Sequence, residues 1–431
     1  MIAVASAAPL VREFDAVRAG LPGQDCIWLG PARSRGLEDF SRHGFPTPRL
    51  EEWKFTNLGG LAKQTFDLAV GGAAAALDPS LLLPNAHRLV FAGGRFQPAL
   101  SDAGALPAGL TLTNLATLLE QPAGDAADWF AEADREAATS LVSLNTALMS
   151  DGAVLRIGHD VQVERPIQLI YLGQGGAAVP ALQWRNLIVA EPGSRATIVE
   201  TYAGSGRYWT NAVSEIRLGE GATLSHYKLQ TEDQTAFHTS AARLNLATAS
   251  QYRSFTLSTG ALLARTEIDA NFAGERVVCH LDGLCLVRDS QHSDFTTRID
   301  HARPGGSSGQ VYKTVVDDKA HSVFQGRVRV SPQAQKTEAR QLNRNLLLAD
   351  GAQADSKPEL EILADDVVCS HGATVGDLDR NALFYLQARG LDEVEARALL
   401  VQAFAAEAVD RIEVEAVRAY FAAPLGRWLG Q

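Results

Sequence analysis

The residues best suited to do chemistry gather in one short stretch, Asp365-Asp-Val-Val-Cys369-Ser-His371-Gly-Ala-Thr374. In extended backbone, side chains at i and i+2 point to one face, so Cys369 and His371 would stand side by side. A thiolate and an imidazole so placed suit a soft or borderline metal, zinc or iron. Two ligands fall short of the roughly four that a tetrahedral zinc site or a cysteine-ligated cluster requires. Distant residues of the chain, or a second subunit, would have to complete the site. The plainer alternative is a buried cysteine and a hydrogen-bonded histidine on a strand.

A second candidate is Cys279-His-Leu-Asp-Gly-Leu-Cys285. The two cysteines would share one face of an unbroken strand, although Gly283 is placed to interrupt it. Cysteine is among the most often buried residue types, which favours inert core thiols. Cys26, in an apolar stretch before Trp28, reads as packing, and Trp53 in Glu51-Glu-Trp-Lys as a core anchor. His226, His238, His280, His292, His301 and His321 fall in strand-like sequence and read as wall residues rather than ligands.

No Walker-type Gly-x-x-x-x-Gly-Lys-Ser/Thr occurs, and neither does His-Glu-x-x-His or Cys-x-x-Cys. The glycine-rich Gly305-Gly-Ser-Ser-Gly-Gln-Val-Tyr-Lys313 sets its lysine too far beyond Gly309 and reads as a loop rather than a phosphate cradle. Asp317-Asp318 and Asp365-Asp366 offer paired carboxylates, but such pairs are ordinary turn residues.

Composition narrows the class. The chain has 431 residues, 46% hydrophobic and 21% charged, the profile of a globular protein with a sizeable core. A net charge of −11 argues against a general nucleic-acid or anionic-membrane binder, which needs a basic face. No segment approaches the roughly 18 apolar residues of a membrane-spanning helix. The start, Met1 to Asp15, has no basic n-region and no sustained apolar core, so it is a poor secretory signal. Four cysteines are too few for a disulfide framework in a chain this long, which points to a reducing cytosol.

The elements that must position these residues fall into three parts. Residues 1–150 read as a mostly helical region with a small hairpin, Arg88 to Phe96 around Gly93-Gly94, and helical spacing from Asp128 to Met149. Residues 151–376 alternate with period 2 in short strands and show no helices between them, which excludes an alternating βα fold. A weak echo links Ala196-Thr-Ile-Val-Glu-Thr-Tyr202, Ala222-Thr-Leu-Ser-His-Tyr-Lys228 and Ala249-Ser-Gln-Tyr-Arg-Ser-Phe255, at offsets of 26 and 27 residues. Such a period suits a coil-by-coil solenoid; a β-sandwich or barrel is the rival. Residues 377–431 read as a helical domain: Asn381 to Arg389, then a helix opened by an Asp392/Glu395 capping box, then Val414 to Trp428. The middle helix carries a stripe of Val394, Ala398, Val401, Ala405 and Ala408. These helices must pack on the solenoid or receive a partner.

Three stretches carry a resemblance. Arg344 to Gly376, which contains the Cys-Ser-His-Gly-Ala-Thr run, is similar to the SufB/SufD family of iron–sulfur cluster assembly proteins, and to its SufD branch in that run. Asn381-Ala-Leu-Phe-Tyr-Leu-Gln-Ala-Arg-Gly390 behind it and Pro46-Thr-Pro-Arg-Leu-Glu-Glu-Trp-Lys-Phe-Thr-Asn57 near the start resemble the same branch. The resemblance implies a mainly β fold, a right-handed parallel β-helix flanked by helical N- and C-terminal regions. It implies a non-catalytic scaffold subunit of the SUF complex. That subunit would pair with a SufB-like paralogue through β-helix edges and dock a SufC-like ATPase on its C-terminal helices. The nascent cluster would then be shared at the subunit interface, with His371 as a ligand, Cys369 beside it in a less secure role, and no nucleotide bound by this chain. The sulfur-receiving cysteine path belongs to the paralogue and is not carried onto Cys279 or Cys285. Nucleotide binding in the ATPase would move the attached helices.

Two other classes remain open at this level. One is a β-helix enzyme of the secreted type acting on polysaccharide, which would use exposed carboxylates. The other is a homodimeric metal-binding module, the chain pairing with itself when alone.

Overall fold

The structure, a computed structural model, describes residues 10, 14–68, 71, 77–120 and 140–430. The expected helical stretch from Asp128 to Met149 therefore lies partly outside the described residues; within them, Ser140–Leu148 is helical.

Period-2 sequence becomes two parallel walls that alternate along the chain. The first wall runs Ala153–Ile157, Val179–Ala190, Trp209–Leu218, Phe237–Leu246, Leu263–Phe272, His292–His301, His321–Val330 and Gln353–Ile362. The second runs His87–Ala92, Ile167–Gln174, Arg195–Ser205, Thr223–Gln230, Gln251–Ser258, Val278–Val287, Ser307–Val316, Glu338–Leu347 and Val368–Gly376. Each strand pairs in parallel with the strands one coil before and after it, so the body is a parallel β-solenoid with helices towards both ends of the chain. Antiparallel pairing is confined to the start. Leu110–Asn114 pairs with Ala153–Ile157, and the hairpin partner Arg95–Phe96 turns back on His87–Ala92 through Gly93 and Gly94.

The repeat in the sequence is real, but its register differs from the echo. Ala196 pairs with Leu224, not Ala222. From Arg195 the second-wall strands start 28, 28, 27, 29, 31 and 30 residues apart. The two coils that span the echo are both 28 residues long, so its offsets of 26 and 27 come from similar residues recurring at nearby, non-equivalent positions; the coil length varies only beyond Gln251.

Parallel walls buried on both faces read as near-continuous apolar runs. The inner face forms one core in which Leu224, Tyr252 and Cys279 succeed one another up the second wall, with Ala339 two coils further on beyond Ser308. Outward-facing Trp209, Phe237 and Leu263 of the first wall are covered by Phe40, Phe45 and Trp53 of the N-terminal region. Outward-facing Tyr227, Phe255, Leu284 and Val315 of the second wall are covered by Val401, Ala405, Val417 and Phe421.

Those last residues come from the C-terminal helices Arg380–Ala388, Glu393–Val409 and Glu415–Leu429. The capping box forms as expected: Asp392 accepts from Glu395 N at 2.8 Å, and Asp392 N donates to the Glu395 carboxylate at 3.2 Å. The stripe holds at Val401, Ala405 and Ala408 but not in the first turn. Ala396, Val401, Ala405, Ala408 and Val409 are buried, and Val394 is 77% exposed.

Candidate functional site

Val368–Gly376 is the last strand of its wall. One edge pairs with Glu338–Leu347; among the described residues nothing pairs with the other. Gln353–Ile362 ends the first wall in the same way. This end of the solenoid is uncovered, and apolar side chains stand there in the open, Val368 at 60% and Val375 at 50% exposure. Bare edges of this kind are templates for pairing with another chain.

Register fixes which way the site residues face. Ala339, Gln341, Asn343 and Asn345 are the buried, inward positions of their strand. Their direct partners are Cys369, His371, Ala373 and Val375. In-register parallel neighbours share a face, so Cys369 and His371 continue two inward rows. They are accessible because no described strand lies beyond them. Cys369 packs half-buried against the main core; burial pushes its thiol up, and a hydrogen bond with the Ala339 backbone pulls it partly back. His371 is exposed. The strand thus brings together the two residues expected to share a face. It adds no third: among the described residues no group of three or more His, Cys, Asp or Glu could hold a metal ion.

Cys279 and Cys285 lie elsewhere. Gly283 does not break the strand Val278–Val287, so both thiols sit on its inner face, fully buried and far from the open end. Burial raises both, Cys285 to about 12 and Cys279 higher, which suppresses the reactive thiolate. Gly283 instead makes room: a Cβ there would meet the Tyr312 ring at 2.7 Å. Cys26 donates to Leu119 O and packs near Trp28, and Trp53 is a buried anchor with the Arg265 guanidinium 3.8 Å from its ring centre.

The glycine-rich stretch is not a loop. Only Gly305, in the turn, and Gly306 precede the strand; Ser307 to Lys313 lie in the strand Ser307–Val316. Gly305-Gly-Ser307-Ser-Gly309 also spells Gly-x-Ser-x-Gly, but without the strand-to-helix elbow that exposes such a serine. Ser308, next in line, shares a hydrogen bond with His301 Nε2 at 2.9 Å. Both are buried, and burial lowers His301 to about 4. Its other ring nitrogen finds no acceptor among the described residues, so no acid orients it as a base. The carboxylates of Asp317-Asp318 and Asp365-Asp366 sit in turns, with Asp318 in the left-handed region.

The part that sequence reasoning missed is a charged cluster inside the solenoid. His226, expected in the wall, lies with Nε2 3.1 Å from Glu200 Oε1 and Nδ1 2.8 Å from the Tyr252 hydroxyl. Lys228 faces the same space and donates to Ser240 at 2.5 Å; desolvation lowers it to about 8. Glu200 is held down to about 2, chiefly by His226 against a large burial penalty. The only sequence signal was His226 and Lys228 at i and i+2, and it becomes legible once Lys228 is known to pair with Glu200 a coil earlier. The other named histidines are also held by neighbours. His238 Nδ1 lies 2.7 Å from Glu232, and His321 Nε2 lies 2.7 Å from Asp355. Thr56 hydroxyl and His292 Nε2 are 2.9 Å apart, and His280 stands at the second wall, partly buried.

Comparison with known proteins agrees with this geometry. The model "SUF system FeS cluster assembly, SufBD core domain" matches residues 172–404, and the "SufBD protein N-terminal region" matches residues 6–169. A SufBD family iron–sulfur cluster assembly protein of Synechocystis is 34% identical over 388 residues, covering 86% of this chain and 85% of its own. The iron–sulfur cluster assembly protein SufD of Escherichia coli is 30% identical over 404 residues, 93% of each chain. SufD of Bacillus subtilis is 28% identical over 412 residues, 92% of each. No helix among the described residues is long and apolar enough to cross a membrane.

Proposed function

The chain belongs to the SufBD family of SUF-system iron–sulfur cluster assembly proteins, and on that footing we propose that it is a non-catalytic scaffold subunit. Its uncovered last coil receives a SufB-like paralogue, and the nascent cluster is built where the two edges meet. The observation that carries this is the placement of Cys369 and His371 on inward rows that end in the open. The cluster is cargo here, not a resident cofactor. An imidazole and a half-buried cysteine suit iron as a pair but leave most of its coordination to another chain. An incomplete half-site keeps iron exchangeable, whereas a closed four-ligand site would retain it. His371 is the ligand; Cys369 stands beside it as a second donor or a sulfur contact.

The C-terminal helices supply the second docking surface, for a SufC-like ATPase. Phe384 at 73% and Tyr385 at 57% exposure lie on Arg380–Ala388, a helix with no buried residue, and Val394 and Leu399 are exposed beside them. The chain binds no nucleotide itself, in keeping with its lack of a Walker motif, and works in the cytoplasm. Alone, it pairs with a second copy through the same edge.

Co-expression with SufB-like and SufC-like chains tests the assignment. Charging the edge with Val368→Lys and Val375→Lys should abolish recovery of the paralogue while retaining the ATPase. Recovery of the paralogue with the doubly charged edge would contradict it.

A further inference from the structure

We propose that Gln341 is a positioning residue for His371: its unpartnered carboxamide, turned from the facing wall towards the last strand, lets its oxygen accept the imidazole N–H and leaves the other ring nitrogen free to bind the nascent cluster. The inference rests on the role of His371 proposed above.

Gln341 is 3% exposed, and among the described residues neither Oε1 nor Nε2 has a hydrogen-bond partner. The neighbouring carboxamides on its strand differ. Asn343 Nδ2 donates to Tyr312 O at 3.2 Å, and Asn345 Nδ2 donates to Asn343 Oδ1 at 2.6 Å and to Thr374 O at 3.2 Å. Burying an amide without partners costs about 1–3 kcal/mol, and folded interiors rarely retain one. Space is nonetheless reserved for it. Gly326 on the facing wall could not carry a Cβ without bringing it within 2.8 Å of Gln341 Nε2.

Position supplies the use. Gln341 is the direct in-register neighbour of His371, and Gln310 is the neighbour below, with Leu281 beneath that. The row is apolar at Leu281 and carries carboxamides only in the two coils that lead to the histidine. Neighbouring strands lie about 4.8 Å apart, a gap that a glutamine side chain spans. A neutral imidazole has one N–H and one lone pair, and the acceptor at one nitrogen decides which nitrogen is free to ligate. A carboxamide does this without adding charge next to an electron-rich cluster.

The full-length chain with ¹⁵N-labelled histidine reports the tautomer of His371, assigned by the signals lost in His371→Ala. Wild type should show one tautomer. Gln341→Leu should show a mixture while its unfolding midpoint holds or rises, because an unsatisfied amide has been removed. Gln341→Glu, which keeps an acceptor, should restore the single tautomer. In the co-expressed complex, Gln341→Leu should slow cluster formation about 10–100-fold, the usual range for an outer partner of a metal-binding histidine. Gln341→Glu should recover only part of that loss, because it restores the acceptor but adds a charge beside the cluster. An unchanged tautomer in Gln341→Leu overturns the proposal and leaves the role of His371 standing; normal cluster formation in His371→Ala overturns that role itself. Should Gln341→Leu fail to fold, Gln341→Asn, one methylene too short to reach, carries the same comparison.

Discussion

Arg411, just beyond the helix Glu393–Val409, donates from Nε to the buried carboxylate of Asp282 on the second wall at 2.8 Å. Burial pushes the Asp282 carboxyl up, and Arg411 is the largest influence pulling it back. The same carboxylate also accepts from Val311 N at 3.0 Å, so one buried charge joins two coils to the C-terminal helices. Lys313, buried one coil on, meets Glu407 and donates to Phe404 O at 2.9 Å. The helical domain is therefore fastened to the wall by buried wall charges as well as by the apolar face around Phe421.

Arg411→Ala should destabilise the protein by about 1–3 kcal/mol, because the charge it leaves behind is buried while Arg411 itself is partly screened. Denaturant unfolding at neutral pH measures this. The sign of the pH dependence is fixed. A carboxyl with a raised folded pKa favours the folded state once protonated, so the deficit should shrink as pH falls through the Asp282 titration. A deficit that stays constant or grows on acidification would show that Asp282 is not its source.

Gly283→Ala tests the packing of the core. The added methyl would sit 2.7 Å from the Tyr312 ring, which is flanked by Phe295 and Phe324 at 4.9 and 5.0 Å between ring centres. Overpacking of this kind costs about 1–3 kcal/mol, and thermal unfolding should show it as a lowered midpoint. An unchanged midpoint would mean that the ring column yields more readily than its spacing implies.

Acid should loosen the body of the solenoid. Burial lowers both His292 and His301 to about 4 from an ordinary 6.5. A histidine held neutral in the fold but protonated when unfolded contributes stability that is present above pH 6.5 and is lost as pH falls to about 4. The urea midpoint should therefore drop over that window, and His301→Gln should flatten the drop. An equally steep fall in that variant would remove His301 from the explanation.

The outer face of the C-terminal helices should govern ATPase binding without governing folding. Phe384→Asp with Tyr385→Asp alters a helix that buries none of its residues, so circular dichroism and unfolding should stay near wild type while ATPase recovery is lost. Removing Asp392 to Gln431 is a poorer test, because Val401, Ala405 and Phe421 cover the second wall and their loss would expose it. Retained ATPase with both aspartates in place would move the docking surface elsewhere.

Much of this architecture was legible in the residues, for identifiable reasons. Alternation at 151–376 needs only the period of the strand, and the Asp392/Glu395 cap needs only a three-residue spacing, so both were readable without tertiary information. Cys369 and His371 share a face for the same reason. Inward and outward were harder. Walls buried on both sides erase the polar face that would orient a strand, which is why His226 and Lys228 gave no sign of facing Glu200. The stripe of Glu393–Val409 was read correctly at Val401, Ala405 and Ala408 and missed at Val394, which is exposed while Ala396 is buried. The openness of the last coil could not be read at all, since it depends on what the chain does not place above Val368–Gly376.

The most direct test is cluster assembly by the full chain co-purified with its SufB-like and SufC-like partners, with and without His371→Ala, read as iron and acid-labile sulfide per complex and by visible absorption. The complex should assemble with either chain, because His371 is exposed on an edge whose own pairing runs through the backbone; cluster should form with wild type and fail with the variant, and the isolated chain should hold no complete cluster. A full cluster on the isolated chain, or wild-type yield from the His371→Ala complex, would contradict a half-site that a second subunit completes.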